Sequence, residues 1–231
     1  RDSSTSRGLG DVYKRQRVIC RLLDEQAADD AVFTADVGSP TVWAARYLSM
    51  TENRRLIGSF THGSMANALL HGIGAQVSHP DRQVIALAGD GGLAMMLGEL
   101  LTLTQNKLPV KTIVVNNSSL NFVELEMKAA GFVNYGTALD NPSFAAIAEA
   151  MGIFARRVEN SEDLPDAVRE VLAHDGPALL DVVTERQELS MPPAIEAAQV
   201  KGFALYAIRT VMSGKGDELL DLARANWRQF L

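Results

Sequence analysis

Three short, almost uninterrupted apolar runs constrain this chain more than any other feature: Val-Ile-Ala-Leu-Ala over Val84–Ala88, Thr-Ile-Val-Val over Thr112–Val115 and Ala-Leu-Leu-Asp-Val-Val over Ala178–Val183. A strand with one wet face alternates apolar and polar residues, whereas a run that is apolar at nearly every position suits a strand covered on both faces, as in a parallel sheet between two layers of helices. Three further β-rich runs, Ala31–Ala35, Arg55–Ile57 and Phe154–Val158, bring the candidate strands to six. Helical patterns lie between them over Thr41–Tyr47, Met65–Ser78, Leu97–Asn106, Phe144–Met151 and Glu162–Ala173, with Pro109, Pro142 and Pro177 where helices stop or the chain turns. Strands alternating with helices predict an α/β fold: an open, doubly wound, mainly parallel sheet with helices on both faces. Beyond Pro192-Pro193, helical stretches over Ala194–Met212 and Asp217–Leu231 predict a C-terminal helical tail. The expected organisation is a leader over 1–16, an α/β domain over 17–190 and the tail over 191–231.

Residues 1–16 have no periodic apolar face and lack the apolar centre of a signal peptide, so they are expected to lie outside the fold, as a translated cloning adapter or a disordered tail. The 231 residues, 47% hydrophobic and 22% charged, suffice for one large domain with its own core. A net charge of -6 argues against a protein that coats nucleic acid, because phosphate binding needs a clustered excess of Lys and Arg. The single cysteine, Cys20, excludes an internal disulfide and Cys-rich zinc spacings and suits a reducing cytosol. No apolar run approaches the roughly 20 residues of a membrane-spanning helix.

The chemistry is expected at the end of the first apolar run. Val84–Ala88 leads directly into Gly89-Asp90-Gly91-Gly92, so Asp90 stands at the carboxyl end of a buried strand, where open α/β sheets bind ligands. Glycines there let backbone approach a phosphate, and N–H groups at a helix start favour an anion. A carboxylate in the same turn would repel that anion unless a cation sat between them. Alone this is a weak signal and more readily a tight turn after a strand. However, 24 residues lie between Gly91 and Asn116, and the second run delivers Asn116-Asn117 to the same edge. An Asp carboxylate beside an Asn amide oxygen, with phosphate oxygens to complete the shell, suits magnesium.

The two elements together resemble the thiamine-diphosphate motif, which begins Gly-Asp-Gly and closes with Asn-Asn after a spacing of this size. The resemblance implies that Asp90, the Asn117 side chain and the Ser119 backbone carbonyl ligate Mg2+, and that the ion clamps the diphosphate of thiamine diphosphate. It implies that Gly91 and Gly92 donate N–H groups to phosphate, and that the loop from Asn117 through Ser118, Ser119, Leu120, Asn121 and Phe122 to Val123 walls the thiazolium side. Upstream, Gly63 and Ser64 fall where the family holds the aminopyrimidine ring, with the Gly63 carbonyl accepting from its amino group. Met65 is by itself most simply a core gap-filler; by resemblance it props the cofactor in a bent conformation. Gly38 and Ser39 are candidate diphosphate contacts, Ser39 being equally a plain N-cap before a proline. His62, His71, His79 and His174 receive no chemical role.

Within the family the likeness runs from Val18 to Leu231 and is closest to the ubiquinone-dependent pyruvate dehydrogenases, or pyruvate oxidases, through Gly63–Ala68, Phe122–Lys128 and Met191-Pro192-Pro193. This implies oxidative decarboxylation of pyruvate to acetate and CO2, FAD as a second cofactor in the full-length enzyme, ubiquinone as acceptor, a tetramer, and a cytoplasmic protein associating peripherally with the inner face of the membrane. Phe122 is then a candidate for electron-transfer gating or simply a pocket wall. In Asp217–Leu231 the residues Leu219, Leu220, Ala223, Trp227, Phe230 and Leu231 fall near one helical face, which suits either a lipid surface or the chain's own domain. The glutamate that activates the pyrimidine N1′ in the family, and most flavin contacts, are expected outside this chain, which is therefore expected to be inactive by itself. The alternative enzyme is an acetolactate synthase-type carboligase, although such enzymes usually have Met-Gly followed by Leu-Pro-Ala-Ala where this chain has Ala66-Asn67-Ala68-Leu69-Leu70. A non-enzymatic phosphate-binding or membrane-docking module is the remaining alternative.

Overall fold

The computed structural model describes residues 15–186, 188 and 197–226. In chain order the elements are α1 (Arg15–Gln26), β1 (Val32–Ala35), α2 (Ser39–Tyr47), β2 (Arg55–Ile57), α3 (Ala68–Ser78), β3 (Val84–Gly89), α4 (Asp90–Met95), α5 (Leu100–Asn106), β4 (Lys111–Asn116), α6 (Asn121–Ala129), α7 (Phe144–Ala150), β5 (Phe154–Val158), α8 (Leu164–Ala173), β6 (Ala178–Val183), α9 (Ala197–Met212) and α10 (Gly216–Asn226). The described residues form two compact units, one of those up to 117 with 141–184, the other of 118–140 with those from 185 to 226.

The first unit is the α/β layer structure that the apolar runs predict. Its six strands form one sheet in the order β2-β1-β3-β4-β6-β5, and every neighbouring pair is parallel. The three apolar runs are β3, β4 and β6, with neighbours on both sides. Alternate residues of each strand serve opposite cores. Ile85, Leu87, Ile113, Leu180 and Val182 pack with Ile19, Leu23, Trp43, Leu164, Val168 and Val171 on one face. Val84, Ala86, Ala88, Val114 and Leu179 pack with Leu69, Leu93, Leu100, Leu103, Phe144 and Ala148 on the other. Each fully buried Leu, Ile or Phe contributes about 1.5–3 kcal/mol relative to exposure.

Besides the short helix α4, which no expected helix covers, and a 3-10 turn over Ser161–Asp163 ahead of α8, four departures from expectation bear on the site and its supports. First, α1 is an unforeseen helix that takes in Arg15 and Gln16 of the segment assigned to the leader. It buries Ile19, Cys20 and Leu23, and Arg54 closes its far end, donating to Asp24 Oδ1 at 2.7 Å and to the Ala27 carbonyl at 3.0 Å. Second, the helix expected from Met65 starts at Ala68, because Ala66 turns into the left-handed region at φ 61°. Third, Leu97–Glu99 is a 3-10 turn ahead of α5, which ends where Lys107 adopts φ 53°. Fourth, Asn121–Val123, expected as loop, form the first turn of α6.

In the second unit, a short antiparallel bridge joins Ser119 to Ala138 and α6 packs against α9. The helices approach so closely that a Cβ on Gly202 would lie 1.7 Å from the Ala129 carbonyl oxygen. Arg209 Nη1 donates to the Gly131 carbonyl at 2.7 Å, closing the end of α6. None of the described helices is long and apolar enough to cross a membrane. The apolar face expected over 217–231 is described only as far as Asn226; Trp227, Phe230 and Leu231 lie outside the described residues, as do Met191, Pro192 and Pro193.

Candidate functional site

The strand order reverses at β1: the chain moves from β1 outward to β2, then crosses to β3 on the other side. Such a switch point leaves a crevice at the carboxyl ends of the two strands. Asp36 is the first residue after β1 and Asp90 the first after β3. Since Gly89 is level with Val115 across β3 and β4, Asp90 is level with Asn116, with Asn117 one residue further. The adjacency expected from the spacing is thus present.

Each buried carboxylate at this edge has defined partners. Asp90 Oδ1 accepts from the Gly91 N–H at 2.8 Å, and Oδ2 accepts from Asn141 Nδ2 at 2.8 Å. Asn141 Nδ2 also donates to Asn116 Oδ1 at 2.9 Å. Asn116 Nδ2 donates in turn to Asp181 Oδ1 at 3.0 Å, and Arg157 holds Asp181 Oδ2 at 2.6 Å. A polar chain therefore runs along the sheet edge and fixes the Asp90 carboxylate from behind. Asn116 is engaged in that chain, which separates its role from that of Asn117, also buried. The sequence signals Asn141 only through the turn at Pro142, so its part in orienting Asp90 was not legible there.

Asp36 forms a second hub. Its Oδ1 accepts from the Ala68 N–H at 2.8 Å and its Oδ2 from the Gly89 N–H at 3.0 Å. Burial pushes this carboxyl above its ordinary range, opposed by the N–H groups of Ala68, Gly89 and Asn67 and by nearby His71. A Cβ on Gly92 would lie 2.1 Å from Asp36 Oδ2, so the turn after Asp90 requires glycine for its own packing. The Gly91 N–H expected to meet a phosphate is directed instead at the Asp90 carboxylate.

The other expected site residues of this unit surround the same switch point. Gly38, at φ 141°, is the residue before α2, and Ser39, buried, is the first residue of that helix and not its N-cap. Gly63 sits at φ 66° in an exposed turn, its N–H donating to the Ser59 carbonyl at 2.7 Å. Ser64 accepts from the Val37 N–H at 3.4 Å, and Met65, half-buried, precedes Ala66. Asn67 donates to the Ser64 carbonyl. Trp43 and Tyr47 stack in α2 on one of the cores.

The remaining expected residues belong to the second unit. Ser118 has φ 54°, an uncommon value for a non-glycine residue. Its carbonyl accepts from the Leu139 N–H at 2.9 Å and the Leu120 N–H donates to Thr137 at 2.8 Å, so the neighbours of Ser119 carry the hydrogen bonds of the bridge. Ser119 Oγ donates to Glu124 Oε2, and Asn121 Nδ2 donates to the Arg186 carbonyl at 2.8 Å. Phe122 and Val123 are exposed on the first turn of α6. Glu124 and Lys128, both 1% exposed, pair at 3.4 Å, and Lys128 Nζ lies 5.7 Å from the Tyr206 ring centroid.

The donor set of the first unit fits magnesium. Asp90 and Asn117 offer hard oxygen atoms, the carboxylate is oriented by Asn141, and a diphosphate would bring further oxygens. No cluster of three or more His, Cys, Asp or Glu able to hold a metal occurs among the described residues.

Comparison with known proteins agrees with this geometry. The C-terminal TPP binding domain of thiamine pyrophosphate enzymes matches residues 36–182, from the Asp36 hub into β6. A Bacillus subtilis protein, YdaP, named provisionally as containing thiamine pyrophosphate, is 37% identical over 217 residues, 94% of this chain and 38% of its own length. The acetolactate synthase large subunit of Porphyra purpurea is 35% identical over 78% of this chain and 31% of its own length. The acetolactate synthase isozyme 2 large subunit of Escherichia coli K12 is 32% identical over 79% and 34%. The chain thus spans about a third of the length of these relatives.

Proposed function

The chain belongs to the thiamine pyrophosphate enzymes, as their C-terminal cofactor-binding domain, and from that premise we propose that it anchors Mg2+ and thiamine diphosphate through Asp90 and Asn117 in a carboligase of the acetolactate synthase type. What supports the anchoring is the level placement of Asp90 and the Asn116-Asn117 pair on adjacent parallel strands, with Asn141 orienting the carboxylate. What supports the carboligase is the activity named for the acetolactate synthases, which match over more than three quarters of the chain. When bound, the cofactor supplies the carbanion chemistry needed on a 2-oxo acid such as pyruvate. The chain's own contribution is binding and orientation: Asp90 and Asn117 hold the metal, Gly38, Ser39, Gly91 and Gly92 border the diphosphate, and the Gly63 carbonyl, Ser64 and Met65 receive the pyrimidine.

A second activity, the FAD- and quinone-linked oxidation of pyruvate to acetate at a lipid surface, is favoured by one observation. Val200, Ile208 and Val211 give α9 an exposed apolar face in the tail, which suits contact with a lipid surface. Product analysis on the intact protein separates the two, using pyruvate, Mg2+, thiamine diphosphate, FAD and a soluble ubiquinone analogue. Acetolactate without quinone reduction is the expected result. Acetate formed with stoichiometric quinone reduction would overturn the carboligase in favour of the oxidase.

A further inference from the structure

We propose that Asp36 is a positioning residue for the cofactor-binding turn: its carboxylate fixes the end of β3 and the start of α3 to the end of β1 before any ligand arrives. The inference rests on the reading that Asp90 and the adjoining glycines hold a magnesium-bound diphosphate.

The argument starts from where the ladder ends. The last paired residues of β1 and β3 are Ala35 and Leu87, and the Asp36 N–H donates to the Leu87 carbonyl at 3.0 Å. In a strand, residues two apart direct their N–H groups to the same side, so the Gly89 N–H points toward a neighbour that has already ended. Asp36 Oδ2 takes that place at 3.0 Å, immediately before Asp90. The other oxygen binds the Ala68 N–H at 2.8 Å and so ties down the helix that follows Gly63–Asn67. Gly92 comes close enough that only a hydrogen at its α-carbon fits against the same carboxylate. One side chain therefore sets three segments, 36–39, 63–68 and 89–92, against each other. A carboxylate is the group that suits this, because both of its oxygens meet N–H donors; an amide would turn its own NH2 toward one of them.

A purely structural role predicts loss of stability alone, and a neighbouring residue supplies the control. Thr34 Oγ1, fully buried in β1, donates to the Ala68 carbonyl at 2.6 Å, so Thr34→Val removes a buried bond to the same helix start without touching the turn. In the intact protein, Asp36→Asn should weaken Mg2+-dependent binding of thiamine diphosphate roughly 10–100-fold, the usual consequence of losing an outer-shell partner. Thr34→Val, even if equally destabilised, should keep the wild-type affinity in titration calorimetry. In the wild-type protein, the Gly89 and Ala68 amides should already be protected from hydrogen exchange before the cofactor is added, a measurement that does not depend on the variant folding. The proposal is overturned if Asp36→Asn binds as wild type does, if Thr34→Val loses affinity equally, or if those two amides become protected only when cofactor is present. Failure of the wild-type protein to bind would overturn it together with the cofactor reading; normal binding by Asp36→Asn would overturn it alone.

Discussion

Ala66 carries the clearest cost at a single residue. It is buried and holds φ 61°, a conformation that costs an L-residue with a Cβ roughly 1–2 kcal/mol. Here a methyl group occupies a position whose backbone favours glycine. Ala66→Gly relieves the left-handed strain, loses a small buried methyl and gives the unfolded chain about 0.4–1 kcal/mol of extra freedom, terms that nearly cancel. The expected outcome in urea unfolding is a midpoint close to wild type for Ala66→Gly and a clear loss for Ala66→Val, whose branched side chain tolerates this region worst. Gly92 presents the converse case, because no rotamer change at Gly92 itself can relieve a Cβ only 2.1 Å from Asp36 Oδ2. Gly92→Ala should therefore displace the Asp36 carboxylate and weaken Mg2+-dependent thiamine diphosphate binding, measured by the same calorimetric titration; unchanged affinity would contradict that contact. The diphosphate motif showed that glycine was needed at this turn, but its packing reason depends on Asp36, 56 positions earlier in the sequence.

Among the elements, the strands were the most legible, because burial on both faces writes itself into composition: β3, β4 and β6 needed no partner to be recognised. Helices α1 and α6 were hidden for different reasons. In α1, Ile19, Cys20 and Leu23 are interleaved with Arg17, Arg21, Asp24 and Glu25 directly after a featureless leader. In α6, the resemblance treated residues through Val123 as a cofactor loop. One contact between elements is invisible to any local pattern. Lys111, the first residue of β4 and only 4% exposed, extends its Nζ to the carbonyls of His174 and, at 2.7 Å, Gly176, closing the turn between α8 and β6. Burial lowers its pKa to about 8, with Asp175 pulling the other way. Because the folded value lies below the ordinary 10.5, the unfolded chain binds more protons between them, so this group's contribution to stability rises with pH from about 8 to 10.5. At about 1.4 kcal/mol per pKa unit, the change is a few kcal/mol at most. Urea midpoints for wild type and Lys111→Met across that window should separate in favour of wild type as pH rises; a constant difference would mean that Lys111 does not titrate there.

At the scale of the whole molecule, sequence order and cofactor chemistry meet at one edge of the sheet. The 24 residues between Gly91 and Asn116 contain most of α4, all of α5 and nearly all of β4, enough chain for one crossover that returns to the neighbouring parallel strand. Had β4 paired elsewhere, the Asp and Asn oxygens would have been separated by at least one strand spacing of about 4.8 Å more, and one cation could not have joined them. The coupling of metal and cofactor follows from this arrangement, since each protein oxygen alone is a weak ligand and the diphosphate completes the shell. Binding to the folded state should then be strongly interdependent. At 100 times its dissociation constant, thiamine diphosphate with Mg2+ should add about 2.7 kcal/mol to unfolding stability. Thiamine diphosphate in EDTA, or Mg2+ alone, should add much less. Asp90→Ala should abolish the joint effect, whereas Asn141→Ala, which removes only the orienting amide, should weaken the affinity and leave the magnesium requirement intact. Thermal unfolding with each component added singly and together checks all of these, and equal stabilisation by thiamine diphosphate with and without the metal would remove Asp90 from the role of metal ligand.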